Sequence, residues 1–258
     1  MTYHIDLVKL GQWDWAPGFE IFWMEPNAPA EPLVLVCLII RGNGKTVVVN
    51  TGPDVDMLPE LNTRWAKFDP RHQLRVAPEE RLETALGRAG VRLDQVDHVI
   101  VTPFQPYAIG NLTAFPRAQY CLSKRGWIEF HAPRWREHPH DYRPFVIPEK
   151  ILVPLVTSRW HQVRLLEDEE EILPGLSVFW VGTHHRSSLA VKISTAEGTV
   201  IASDAFFRYE NVTENRPLGI NESLEECLAA YDRIRREADI LIPLYDPRVF
   251  ERHPRGIG

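Results

Sequence analysis

The chain has 258 residues but only three cysteines, Cys37, Cys121 and Cys227. Scattered and odd in number, they exclude a disulfide framework and a CxxC metal knuckle. They fit a reducing, cytoplasmic setting. An excess of basic charge is also missing: 29 Lys+Arg against 35 Asp+Glu leave a net charge of −6. That sign argues against nucleic acid or an anionic membrane surface as the partner. No apolar run approaches the ~18 residues of a membrane span. The longest, residues 33–40, has the length of a buried strand. The first six residues, MTYHID, lack the basic start and apolar stretch of a secretory signal. Repeats, low-complexity tracts and linkers are absent as well, so a single domain over 1–258 is expected. Hydrophobic residues make up 44% and charged residues 25%, the balance of a globular protein rather than a disordered one. Histidine is plentiful by contrast: the ten present would suit a histidine-based metal site.

Residues 33–41 and 45–50 are β-rich and joined by Gly42-Asn43-Gly44, a hairpin signal. The stretch 55–77 reads as an irregular excursion. Pro78 opens a helix with Leu82, Ala85, Leu86 and Ala89 on one face, and Gly90 stops it. Strands are expected at 99–102, 119–122, 177–181, 190–195, 199–202 and 240–243. A helix is expected at 124–131, and another is capped by Asn221, with Leu224, Leu228, Tyr231 and Ile234 as its apolar stripe. Residues 132–160, rich in Pro, Trp and Arg, read as a lid or surface insertion. Hairpin strands, helix and strand, then the same again, suggest an α/β fold of two packed sheets covered by helices.

Several local patterns tempt toward chemistry and do not carry it. Gly42-Asn43-Gly44-Lys45 lacks the spacing of a phosphate loop. His131, His138 and His140 match no metal spacing and read as a solvated loop. The acidic run 167–171 reads as a solvated face. Trp13, Trp15, Trp23, Trp135 and Trp160 fall in loop-rich regions, where they either line an entrance or pack the core.

The order of the motifs resembles the metallo-β-lactamase superfamily, within it the lactonase-like branch. The segments that carry it are Thr46 to Gly52, Asp97 to Thr102 with Ile109-Gly110-Asn111, Phe115 to Ala118, Arg125-Gly126-Trp127, residues 169–175, Gly182-Thr183-His184 to Ser188, Ala202 to Ala205, and residues 242–247. The resemblance implies an αββα sandwich. It also implies a His-x-His-x-Asp-His motif, a later His, a bridging Asp and a final His, which together hold two metal ions that generate hydroxide. Those positions fall here on Pro103, Gln105, Tyr107 and Ala108, then His184, Asp204 and Tyr245. The Asp of Asp-Thr-Gly is Asn50, and a tyrosine of lactonase-like members is Phe207. Five of the seven ligand positions are thus changed, and zinc takes imidazole, thiolate or carboxylate. Zinc lowers the pKa of bound water from about 15.7 to about 7, roughly 12 kcal/mol of hydroxide generation.

The expectation is therefore a protein without metal or other cofactor. In one reading it is a hydrolase-like enzyme or binder of a small ester, lactone or amide-like molecule. His184 acts there as base, Asp204 orients it, and Gln105, Tyr107, Tyr245, Phe207 and His185 contact the ligand. In the other it is an inactive subunit that pairs with an active relative, so homo- and hetero-oligomers both stay open. The blander alternatives are a leftover His–Asp pair and tyrosines that only fill vacated volume. A single metal held by His184, Asp204 and Tyr245 or His185 is the third possibility.

Overall fold

The computed structural model describes residues 2–134 and 143–258. Two sheets lie face to face. The first runs in the order β4-β1-β2-β3-β5-β6-β7. Its strands are β1 (His4–Ala16), β2 (Glu31–Gly42), β3 (Lys45–Val49), β4 (Leu74–Arg75), β5 (His98–Ile100), β6 (Gln119–Ser123) and β7 (Val163–Leu166). The second runs β12-β11-β10-β9-β8, from β8 (Glu169–Leu173), β9 (Leu176–Trp180), β10 (Leu189–Thr195), β11 (Gly198–Ser203) and β12 (Ile240–Pro243). β1, β2 and β3 pair antiparallel, whereas β3, β5, β6 and β7 are parallel.

The apolar run 33–40 now has its cause. Val34, Val36, Leu38 and Ile40 enter the core between the sheets, against Val178, Val191, Ile193 and Val200. Leu33, Leu35, Cys37 and Ile39 face the other way, into the layer with the helices. A strand covered on both faces loses the apolar–polar alternation. Helices 82–88, 124–131 and 149–156 contribute buried residues to this layer, while the helix Leu224–Glu237 packs against β11 of the second sheet, burying Cys227, Ala230, Tyr231 and Ile234. The result is an αββα sandwich.

At the hairpin, Gly42 pairs with Lys45 and leaves a two-residue turn. Asn43 and Gly44 take φ of 55° and 68°, as a turn matched to strand twist requires. Other expectations need revision. Residues 55–77 are not wholly irregular: Leu58–Trp65 is a helix with Pro59 in its first turn, where a missing N–H costs nothing. Ser223, not Asn221, caps the helix Leu224–Glu237, accepting from the Glu226 amide, while Asn221 Nδ2 donates to Leu218 O. Trp13 and Trp15 belong to β1 rather than to loops. The acidic run continues into β8, an edge strand whose Glu169 and Glu170 pair with Arg233 and Arg164; charge on an edge discourages pairing with another chain. In 132–160, the helix Glu149–Val156 is anchored by buried Ile151 and Leu155. Trp135, His138 and His140 lie outside the described residues.

One glycine fixes how closely the helix Lys124–His131 approaches the loop that carries His184. A Cβ on Gly126 would stand 2.4 Å from Ser187 Cβ and 2.5 Å from its Cα. Gly126→Ala should cost about 1–3 kcal/mol by overpacking and lower the calorimetric melting temperature by several degrees. Gly87→Ala, where an added Cβ meets nothing within 4 Å, should instead stabilise by about 0.4–1 kcal/mol.

Candidate functional site

The cleft is assembled from strand ends of both sheets. Beyond β3, Asn50 adopts φ of 64°. Its Oδ1 accepts from the Thr102 amide at 2.8 Å and its Nδ2 donates to Thr102 O at 2.7 Å. An aspartate there could accept but not donate, so the carboxamide suits a clamp between the ends of β3 and β5. Thr102 Oγ1 accepts from the Leu189 amide at 2.7 Å and donates to Asp204 Oδ1. Ser188 Oγ accepts from the His185 amide at 3.0 Å and donates to Asp204 Oδ2. Asp204 itself has no exposed surface. Burial pushes its carboxyl up to about 6, against the pull of the Ser188 and Thr102 hydroxyls.

His184 is 5% exposed and held from both sides. Its Nδ1 lies 3.2 Å from Ile220 O, an acceptor, so Nδ1 carries the proton. Nε2 is then the lone-pair side and accepts from the Tyr107 hydroxyl at 3.2 Å. Burial pulls the imidazole down to about 4, so it is neutral at pH 7. Among the described residues His184 and Asp204 share no hydrogen bond. The expected arrangement, in which the carboxylate orients the imidazole, is therefore corrected: the threonine and serine hydroxyls engage the carboxylate, and the Ile220 carbonyl orients the ring.

Tyr107 sits in the short helix Pro106–Ile109, its ring 5.5 Å from that of Trp13 and 6.2 Å from that of Tyr245, both edge-on. Phe207 packs 4.6 Å from Tyr245 and 5.0 Å from His184. Burial, and then the Tyr107 and Asp204 groups, raise the Tyr245 hydroxyl well above the ordinary phenol value. That hydroxyl is buried and makes no hydrogen bond of ordinary geometry among the described residues. Tyr107 and Tyr245 share the wall of a cavity of about 10 Å³ with Asn50, Gly52 and Ala108, about the room one water needs. Gln105 and His185 line a separate opening of about 60 Å³ beside Phe104 and Phe130; the His185 ring is 4.0 Å from that of His184. A far larger cavity, about 840 Å³, lies around Arg208, Arg216 and Arg248. Each of those guanidiniums pairs with a carboxylate, so size there does not mark the chemistry.

His131 holds its Nδ1 2.9 Å from Trp127 O and packs its ring on Trp127. Among the described residues, no group of three or more His, Cys, Asp or Glu side chains converges in a way that could hold a metal ion.

The fold and this constellation agree with a direct match: residues 31–243 fit the family model of the metallo-beta-lactamase superfamily. The chain belongs to the metallo-β-lactamase superfamily. Among solved structures, an N-acyl homoserine lactone hydrolase with N-hexanoyl-L-homoserine at its catalytic metal center is 16% identical. Each chain covers 100% of the other, with a TM-score of 0.79. The AiiA protein of B. thuringiensis, with N-decanoyl-L-homoserine at its active site, is 16% identical over 100% of both chains, TM-score 0.78. AidC, a dizinc quorum-quenching lactonase, is 11% identical over 91% of this chain and 83% of that one, TM-score 0.65. At such identities the likeness speaks for the fold. No curated protein matches the sequence.

Two residues of the site were not read from the sequence. Thr102 and Ser188 carry no pattern that marks them as partners of Asp204.

Asp204 and His184 leave opposite signatures in stability. Between its ordinary 3.8 and about 6 the folded state keeps a proton on Asp204 that the unfolded chain has lost, so stability falls as pH rises. Between about 4 and its ordinary 6.5 the folded state leaves His184 neutral while the unfolded chain is protonated, so stability rises with pH. The two contributions nearly cancel. Relative to the wild type, Asp204→Asn should make the slope of stability against pH more positive by up to about 1.4 kcal/mol per pH unit between pH 4 and 6, the window of the Asp204 shift, read by urea unfolding of the two proteins side by side.

Proposed function

We propose that this superfamily member works without the dinuclear metal centre and takes a small ester-, lactone- or amide-like molecule in the ancestral cleft, as a hydrolase-like enzyme. The observation that carries this reading is the buried Tyr245 hydroxyl, which lies against Tyr107 and makes no hydrogen bond of ordinary geometry among the described residues, at the position where the superfamily's final histidine falls. A buried donor left unpaired costs about 1–3 kcal/mol, which a ligand carbonyl oxygen would relieve. Tyr245 then supplies the hydrogen bond that stabilises charge growing on that oxygen. Tyr107 and Phe207 support the ligand, while Gln105 and His185 line the separate opening beside Phe104 and Phe130.

The donor set argues for metal independence. Pro103 and Ala108 have no ligating atom, Tyr107 engages His184 Nε2, and both Asp204 oxygens already accept hydroxyl protons. These residues do not fit a dinuclear zinc centre. His184 and Asp204 act in this reading by positioning the floor of the cleft. Proton transfer from Tyr107 to His184 would run from a phenol raised above its ordinary value to an imidazole lowered to about 4. The uphill cost, about 1.4 kcal/mol per pKa unit, disfavours the imidazole as general base. The three thiols are buried and free, which supports the reducing, cytoplasmic setting. No described helix is long and apolar enough to cross a membrane.

Protein purified without chelator should contain no stoichiometric metal by plasma mass spectrometry, and EDTA should not shift its melting temperature. Stoichiometric zinc or iron that survives gel filtration would overturn the reading. Tyr245→Phe should weaken binding or turnover of short esters and γ-lactones about 10–100-fold, on the scale of one lost hydrogen bond to developing charge.

A further inference from the structure

A row of aromatic rings runs from the surface to the imidazole of the cleft. Asn62 clamps the helix Leu58–Trp65 to β4: its Oδ1 accepts from the Leu74 amide at 2.8 Å and its Nδ2 donates to Leu74 O at 3.0 Å. Leu74 pairs in turn with Trp13 of β1. The half-buried Trp65 ring thereby meets Trp13 edge-on, with centroids 5.6 Å apart. Trp13 stands edge-on to Tyr107 at 5.5 Å, and both pairs have the spacing of rings in contact. The Tyr107 hydroxyl ends the row on His184 Nε2. Electron exchange between oxidisable rings falls steeply with distance and is fastest at contact.

Two details set this row apart from ordinary core packing. Trp13 is 4% exposed, yet its Nε1–H has no hydrogen-bond partner among the described residues, which is rare for a buried donor. An indole that has lost an electron sheds that proton to any acceptor beside it. Trp13 has none, so an electron vacancy there keeps its oxidising power and passes on. Tyr107 is the opposite case. Tyr3, Tyr120 and Tyr231 give their hydroxyl protons to backbone carbonyls, which hold a hydrogen bond but do not take up the proton. Tyr107 gives its own to a ring nitrogen with a lone pair, because Nδ1 of His184 is turned to Ile220 O. The Tyr245 ring lies 6.2 Å beyond, and its hydroxyl has no hydrogen bond of ordinary geometry among the described residues, so it offers no comparable stop.

We propose that Trp65, Trp13 and Tyr107 form a one-electron path that carries an oxidising equivalent from the surface into the cleft and stores it as a tyrosyl radical beside His184. The co-reactant is an outer-sphere one-electron oxidant in solution, such as an oxygen-centred radical. It takes one electron from the Trp65 indole and is itself reduced. Trp65 is refilled from Trp13, and Trp13 from Tyr107. As the electron leaves Tyr107 its O–H bond breaks and the proton goes to His184 Nε2, leaving a neutral tyrosyl radical and an imidazolium. An intact phenol holds that proton, whereas a phenol short of one electron is a strong acid. A one-electron reductant reverses the sequence, and the proton returns to the phenol oxygen. The path consumes no substrate of the cleft, so it stands apart from the hydrolase-like reading.

The test is photo-oxidation of the whole protein by laser-generated tris(bipyridine)ruthenium(III), followed by transient absorption and by EPR of frozen samples. The expected product is a tyrosyl radical, recognised by the narrowing of its EPR signal in protein carrying ring-deuterated tyrosine. In protein labelled with ¹⁵N-histidine, pulsed EPR should show an imidazole nitrogen coupled to that radical. Its formation should slow in D₂O, because an O–H bond breaks. Tyr107→Phe should lose the signal, and Trp13→Phe and Trp65→Phe should lower its yield. Trp160→Phe, at an exposed indole outside the row, should leave the yield unchanged. The labelled wild type tests the radical site even where a variant fails to fold. A tyrosyl signal that persists in Tyr107→Phe, a radical with no histidine coupling, or tryptophanyl radicals alone would overturn the site. A yield indifferent to Trp13→Phe or Trp65→Phe, or one that falls as far in Trp160→Phe, would overturn the path. Each of these outcomes leaves the hydrolase-like reading intact.

Discussion

The Asp204 carboxyl stands at the end of β11 with no exposed surface, and its two oxygens are met by hydroxyls that come from different sheets. Thr102 follows β5 of the first sheet and Ser188 precedes β10 of the second. A carboxyl removed from water is costly unless hydrogen-bonded. The three strand ends must therefore hold one arrangement, or the carboxyl loses its partners. That constraint sets the opening of the cleft: Thr102 is clamped to Asn50, and Ser188 fixes the His185 amide next to His184. The positions of the imidazole, the phenols and the loop 217–220 all descend from it.

Electrostatics in the cleft run toward neutrality. His184 is deprotonated, the tyrosines are phenols, and Asp204 is raised toward the middle of the pH scale. Among the described residues the Asp204 carboxyl is met by hydroxyls and by no cation. In the metal-free reading, charge that develops on a ligand must be met by an oriented hydroxyl. Membership of the superfamily decides none of this, since the fold supplies only the sites on which chemistry is placed.

Legibility along the chain followed how local each determinant is. The hairpin at Asn43-Gly44 was readable because its turn residues need positive φ, and helix 124–131 because Ser123 caps a short amphipathic run. The αββα architecture was readable from motif order. β1 was not, because its register shifts around Gly11 break the alternation that would have marked it. The helix Leu58–Trp65 was hidden by Pro59, which is harmless in a first turn yet looks like a breaker in sequence. Among the site residues, His184, Asp204, Tyr107 and Tyr245 were reached through the family motif. Thr102 and Ser188 were not, because partners 102 and 16 residues away leave no periodic trace.

By itself the sequence determined the family and the layer order, since each is written in residue type and spacing. Only the tertiary structure decided what the retained residues do. Hydrogen-bond partners are chosen by distance and burial: His184 turns to Ile220 and Tyr107, Asp204 turns to two hydroxyls, and the buried Tyr245 hydroxyl lies against Tyr107.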